Sequence, residues 1–400
     1  MMTPRPAYPG PALFSYGFRP FFLAAALFGL GVVPLWLLVW QGRLAIPGPF
    51  QPVDWHVHEM IFGYAAAVMA GFLFTAVPNW TGRLPTRGWP LMTLVATWVA
   101  GRLAVAGLLP LSVLAVAAVD CAFLLAIGVM TVVEIVAGRN WRNLMVVVPV
   151  GLLFAANVTF HAEATLLGGA AIGRRLGLSV ILFLVMLVGG RIIPSFTRNW
   201  LAKAGASRMP VPFGRFDGVC LGVGGIALLG WSLWGETAAG AVLLLLAAAL
   251  HAVRLARWRG PATWRAPLLL MLHLAYAFLP AGLLALSAAG LGLVPAAAGL
   301  HLLGIGGVGG MTVAVMIRAT RGHTGRSLDA GPALTAAFGL IAGAALLRAG
   351  GAALGLGGVD GITLAALAWT AGFALLSVRL APWLARPAVA PRRPNPAAAA

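Results

Sequence analysis

Twelve apolar runs divide this chain of 400 residues, at roughly 21–40, 57–78, 90–109, 112–136, 143–166, 176–196, 216–234, 238–256, 266–289, 294–317, 332–349 and 361–380. Each is close to the ~20 residues a helix needs to cross a bilayer's hydrocarbon layer. Backbone polar groups in lipid must be satisfied within the spanning structure, so only helices or a closed barrel can span. Strand-like alternation is absent, which leaves helices. Charged residues make up only 9% of the chain, against about 25% in soluble domains. The expectation is an all-α polytopic membrane protein with twelve transmembrane helices. It would form one domain over 21–380, with a short segment at 1–20 before it and a disordered tail over 381–400.

Charge supports both the count and an orientation. The formal net charge is +18, which in a soluble chain would suggest nucleic acid as a partner. Here the positive residues sit between apolar runs, and 22 of the 27 Lys and Arg fall on the side that carries both termini. By the positive-inside rule that side is cytoplasmic. The bilayer is therefore the expected partner and nucleic acid is not. The N-terminal stretch MMTPRPAYPGPALFSYGFRP leads into an apolar run with no cleavage pattern after it, so the first span is expected to stay.

The span count places the histidines in depth. His56 and His58, in WHVHEMIFGY, lie at the outer end of the second span. His161 near the finish of the fifth and His301 near the start of the tenth reach the same leaflet. His251 and His273 lie in the inner half, and His323 in the loop after the tenth span. Ionisable groups inside a membrane are costly and default to functional candidates. Four imidazoles at one depth suit a haem or copper site; the competing readings are a proton relay and a polar helix entrance. His56, His58, His161 and His301 are the expected metal ligands. No CxxCH occurs, which excludes covalent c-type haem, and Cys121 and Cys220 both lie in apolar runs.

Helical spacing refines this. Residues two apart are rotated about 200°, so His56 and His58 would serve different centres. Glu59 shares a face with His56. It is either a carboxylate fixing an imidazole tautomer, a proton donor in catalysis, or a helix N-terminal charge. Asn157 and His161 form an i,i+4 pair, with Glu163 read as a solvated end. His273 is expected to bond a neighbouring hydroxyl, with Tyr276 three residues on, and His251 to be structural. Met60, Met69, Met311 and Met316 read as core or lipid-facing rather than as copper ligands. The GxGxxG pattern in GIGGVGG at 304–310 lies inside a span, so it reads as close helix approach and not as a nucleotide loop.

A weak internal repeat runs through the same blocks. HEMIFGYAAAVMAGFLFTAVPNWTGR from His58 and HLLGIGGVGGMTVAVMIRATRGHTGR from His301 reach Thr-Gly-Arg after the same gap. The sixth span echoes the second more faintly. Spans two, six and ten point the same way, as three successive four-helix units would require.

These blocks, with FRPFF at 18–22, GGRIIPSFTRNWL at 189–201 and LHLAY at 272–276, resemble the NnrS family over nearly the whole chain. The resemblance implies a bacterial inner-membrane protein holding haem b and copper and acting in nitric oxide metabolism, in denitrification or nitrosative-stress resistance. Its motif histidines correspond here to His56, His58, His161, His273, His301 and His323. By position His323 could also sit near a haem propionate. The twelve spans also resemble in plan the haem–copper oxidase catalytic subunit, although the seventh span lacks that superfamily's paired histidines. From that likeness a haem between His58 and His301 is expected, with His56 and His161 at a second centre. Nitric oxide is the expected ligand, with Glu59 as the nearest proton source. The alternatives are a twelve-span secondary transporter and a haem-binding sensor or assembly protein without chemistry.

Overall fold

The computed structural model describes residues 8–351, 354–355 and 357–389. Among them are twelve long helices and no strand. In chain order they are α1 Phe18–Trp40, α2 Pro52–Thr81, α3 Trp89–Val105, α4 Val113–Ala137, α5 Trp141–Leu167, α6 Ala171–Lys203, α7 Arg215–Trp234, α8 Ala238–Ala256, α9 Pro267–Gly290, α10 Ala296–His323, α11 Gly331–Gly350 and α12 Gly361–Ala385. Eleven are long and apolar enough to cross a membrane; α3 is apolar but has only 17 residues. The chain is thus an all-helical, multi-pass membrane protein, as its apolar runs require.

The helix ends depart from the apolar runs where local chemistry overrides hydropathy. Pro52 at the first position of α2 has its φ already set for a helix, so His56 and His58 are both helical. The tenth helix runs on to His323, which is therefore not in a loop. The last helix continues to Ala385, beyond the expected start of the tail at 381. Residues 1–7 and 390–400 lie outside the described residues. Asp360 caps α12 by accepting from the N–H groups of Ile362 and Thr363. These bonds, led by those from Thr363, hold its carboxyl below the usual range. The far end of α12 is capped by Arg19 of α1, whose Nη1 donates to the carbonyls of Leu384 at 2.8 Å and Arg386 at 2.7 Å.

Sequence neighbours pack as antiparallel hairpins, and α1 closes the bundle against α12. The parallel helices α2, α6 and α10 lie inside. In α2, 78% of the apolar window is buried, against 33% in α4. Each inner helix is interrupted by a π turn, at Glu59–Ala65, Val185–Gly189 and Leu302–Gly309. In each, a side chain also donates to a carbonyl of the turn. Trp98 Nε1 donates to Gly63 O at 3.0 Å, Arg254 Nη1 to Met186 O at 2.8 Å, and Thr312 Oγ1 to Val308 O at 2.8 Å. His58 and His301 each immediately precede a π turn. The sequence repeat therefore marks equivalent places on two inner helices.

A chamber of about 840 Å³ lies among α2, α5, α6 and α10. It extends to the end of the bundle that carries the termini, where Asn79, Asn143 and His323 line it. The opposite end is called distal below.

Glycine sets the approach of α9 to α10. A Cβ at Gly299 would lie 2.7 Å from the backbone N of Leu286 and 3.0 Å from the carbonyl of Gly282, and backbone cannot yield. Gly299→Ala is expected to lower stability by about 1–3 kcal/mol. Gly339→Ala on α11, where no atom lies within 4 Å, should instead gain up to about 1 kcal/mol from helix propensity. Thermal unfolding in one detergent checks both signs.

Candidate metal centre

Near the distal end, four helices send polar side chains to one buried point. The helix α2 supplies His58 and Glu59, α3 Arg102, α4 Asp120, and α5 Asn157 and His161. Two glycines make room. A Cβ at Gly101 would lie 3.1 Å from Asp120 Oδ1, and one at Gly63 would lie 2.8 Å from Arg102 Nη1.

Asp120 is the hub. Its Oδ2 lies 3.1 Å from His58 Nε2 and 3.0 Å from His161 Nε2, and accepts from Asn157 Nδ2 at 2.7 Å. Its Oδ1 accepts from Arg102 Nη2. Arg102 Nη1 donates to Glu59 Oε1 at 2.5 Å, and the same oxygen lies 3.2 Å from His58 Nδ1. His58 Nε2 also faces Asn157 Oδ1 at 3.0 Å. Both nitrogens of His58 therefore meet oxygen acceptors. A cation among those oxygens satisfies them, either a second ring proton or a metal ion.

The donor set fits a metal. One ligand atom each from His58, Asp120 and His161 lies within 4.8 Å of the others. Two imidazoles and a carboxylate are a ligand set for zinc, copper or iron. Glu59 on the far nitrogen of His58 would fix the tautomer that leaves Nε2 free to ligate. His161 Nδ1 is buried with no hydrogen-bond partner among the described residues. Phe50, Phe62 and Phe160 pack on the His58 ring at centroid distances of 4.9–5.1 Å, and Phe50 also lies 5.0 Å from the ring of His161. They keep water from the cluster.

The other candidates lie elsewhere. His56 stacks on Trp36 with centroids 4.5 Å apart and planes 10° apart, and lies within electrostatic reach of His301 and Arg348. His301 Nδ1 bonds Ala297 O at 2.7 Å, which leaves Nε2 free. Against the sequence expectation, His58 therefore meets His161 rather than His301. Glu59 reaches His58 rather than His56. His273 does meet a hydroxyl, but it is that of Thr197 at 2.9 Å. Tyr276 instead bonds His251 Nδ1 at 2.8 Å, beside the buried Arg254–Asp217 pair. His323 stands at the chamber mouth, stacked on Tyr16. Glu163 is not a free end; it caps α6 by accepting from the N–H groups of Ile172 and Gly173. Met69 and Met311 line the chamber and Met316 is fully buried.

Asp120 and Arg102 were not among the sequence candidates, although Asp120 stands in the apolar run VAAVDCAFLLAIG. A carboxylate inside a span was the signal.

The sequence pattern of the family described as NnrS protein matches residues 12–388. No curated protein matches the chain.

Proposed function

Because the chain belongs to the NnrS family, we propose that it binds copper at His58, Asp120 and His161 and acts on nitric oxide there, in the inner membrane. The observation that carries this reading is the convergence of two imidazole Nε2 atoms on one oxygen of Asp120 in a water-excluded pocket. Nitric oxide is small and apolar enough to reach such a site through lipid. The predominance of Lys and Arg at the terminal end supports a cytoplasmic position for both termini.

A bound copper ion would supply an open coordination position and a one-electron couple. The chain's residues do the rest. Glu59 takes the Nδ1–H of His58 and so orients its Nε2. Arg102 bridges Glu59 and Asp120, offsetting the negative charge of the pair. Asn157 donates to Asp120 Oδ2 and fixes that oxygen's direction. Glu59 is also the carboxylate nearest the centre outside the proposed ligands, so it is the group through which a proton taken up by the site would pass.

Haem b fits the four distal histidines less well. Side chains already fill both edges of the His58 ring, and the chamber of about 840 Å³ is lined by none of His56, His58, His161 or His301. The proposed chemistry therefore rests on the metal centre alone. A second reading, a secondary transporter, draws on that chamber and on three inner helices with irregular turns around it.

Metal analysis and electron paramagnetic resonance of the purified protein test the first reading. One copper ion per chain is expected, reduced at least about tenfold in His58→Ala and in His161→Ala and kept in His273→Ala. Purified protein without copper, or copper retained by both variants of the centre, sinks the assignment. Anaerobic nitric oxide consumption with a reductant, lost together with the metal, separates turnover from transport.

A further inference from the structure

The chamber among α2, α5, α6 and α10 has a wall that the metal centre does not use. Most of it is apolar, including Val68 of α2, Leu184 and Val188 of α6, and Met311 and Val315 of α10. Its volume of about 840 Å³ falls within the roughly 300–1,000 Å³ of small-molecule sites. Two arginines also line it, Arg191 on α6 and Arg318 on α10, and no carboxylate does among the described residues. The guanidinium of Arg318 lies over Phe196 of α6, 3.9 Å from the ring centre. Arg318 therefore reaches α6, the helix that carries Arg191.

Neither arginine has an acid partner among the described residues, whereas Arg102, Arg174 and Arg254 each do. Arg318 is half-buried and Arg191 exposed, and two guanidinium groups that border an apolar space repel each other and favour a counter-ion. A cation would worsen the repulsion. A neutral lipid would fill the space and leave both charges unpaired. A small inorganic anion would pair the charges and leave the apolar wall empty. Only an amphiphile with an acidic head satisfies both features, because guanidinium binds carboxylate and phosphate through paired N–H donors.

We propose that this chamber binds an acyl-chain lipid with an acidic head, the chain against the apolar wall and the carboxylate or phosphate at Arg191 and Arg318. The ligand is either a free fatty acid or an acidic phospholipid, since the same chemistry serves both.

The test is native mass spectrometry of the full chain released from a neutral detergent, after exposure to oleic acid, oleyl alcohol, phosphatidylglycerol or phosphatidylcholine. One acidic lipid should be retained per chain, with at least about tenfold preference for the acidic member of a pair over the neutral one. The pair showing the larger preference identifies the source as free acid or phospholipid, and either result supports the site. The double variant R191Q/R318Q should lose the preference while its copper content stays unchanged, which keeps this site separable from the metal centre. Should that variant fold poorly, Val315→Trp leaves both arginines in place and should exclude the lipid by filling the space. Equal retention of acid and alcohol overturns the proposal, as does a preference that survives the double variant. Haem retained by the unaltered chain and lost with the arginines would also overturn it, by giving the chamber a different occupant.

Discussion

Replacing Asp120 by alanine is expected to lower the stability of the protein by about 3–5 kcal/mol, the usual cost of removing one member of a buried charged pair. The size follows from what is left behind. Asp120 accepts from Arg102 and Asn157 and faces both His58 Nε2 and His161 Nε2, and it is 2% exposed. Its loss leaves a guanidinium with one acid partner instead of two, and two imidazoles without their shared oxygen. Net stabilities of folded domains are about 5–15 kcal/mol, so the variant should lose a large fraction of its margin. A second pair calibrates this value. Arg83 and Glu134 meet at 2.7 Å with the arginine side chain 45% exposed, and Glu134→Ala should cost no more than about 1 kcal/mol. The double variant Arg102→Leu/Asp120→Leu should not recover the loss, because it also strips the buried Glu59 of its cation, and it should hold no metal. Thermal unfolding followed by circular dichroism, with metal content measured on the same samples, reads all three. An Asp120→Ala protein as stable as Glu134→Ala would show that this carboxylate does not organise the distal end.

What the sequence disclosed, and what it hid, follows the same physics. The helices were legible because lipid permits nothing else for an apolar run of that length. Only their ends shifted, as at Pro52, where the polar stretch PVDWHVH is helical although its hydropathy is not that of a span. His58, His161 and Glu59 were legible from the cost of placing them in a membrane. Asp120 meets the same criterion amid apolar neighbours, and Arg102, within the run at 90–109, is buried beside Glu59.

The partners were not legible, for two reasons. The contacts between helices join residues 18 to 99 positions apart, and no spacing rule states which helices meet. The repeat also misled. His58 and His301 occupy equivalent places on α2 and α10, but equivalent positions in a repeat are related by rotation about the bundle and need not touch. The helical wheel did not anticipate Glu59's partners, because its carboxylate reaches the ring of the adjacent His58 and Arg102 on another helix.

The π turn of α2 makes a prediction that separates two deletions of one residue. A turn closed by i→i+5 bonds holds one residue more than a turn closed by i→i+4 bonds, for nearly the same rotation. Removing Met60, inside Glu59–Ala65, lets the segment close as ordinary α-helix while Pro52–His58 keeps its direction relative to Ala66–Thr81. Removing Ala70, in the regular part of the helix, has no such slack and turns everything before it by about 100°. His58 would then leave Asp120 and Asn157, and Glu59 would leave Arg102. The expected result is a Met60 deletion that keeps most of its copper and an Ala70 deletion that loses it at least about tenfold. The Met60 deletion is not silent, because it re-forms the backbone around Gly63 and disturbs the bond that the Gly63 carbonyl accepts from Trp98 Nε1 at 3.0 Å. Its unfolding temperature should therefore fall modestly, by the worth of one hydrogen bond, about 1 kcal/mol. Metal content and thermal unfolding of the two deletions side by side decide the matter, and equal loss of copper in both would show that the π turn does not set the direction of His58.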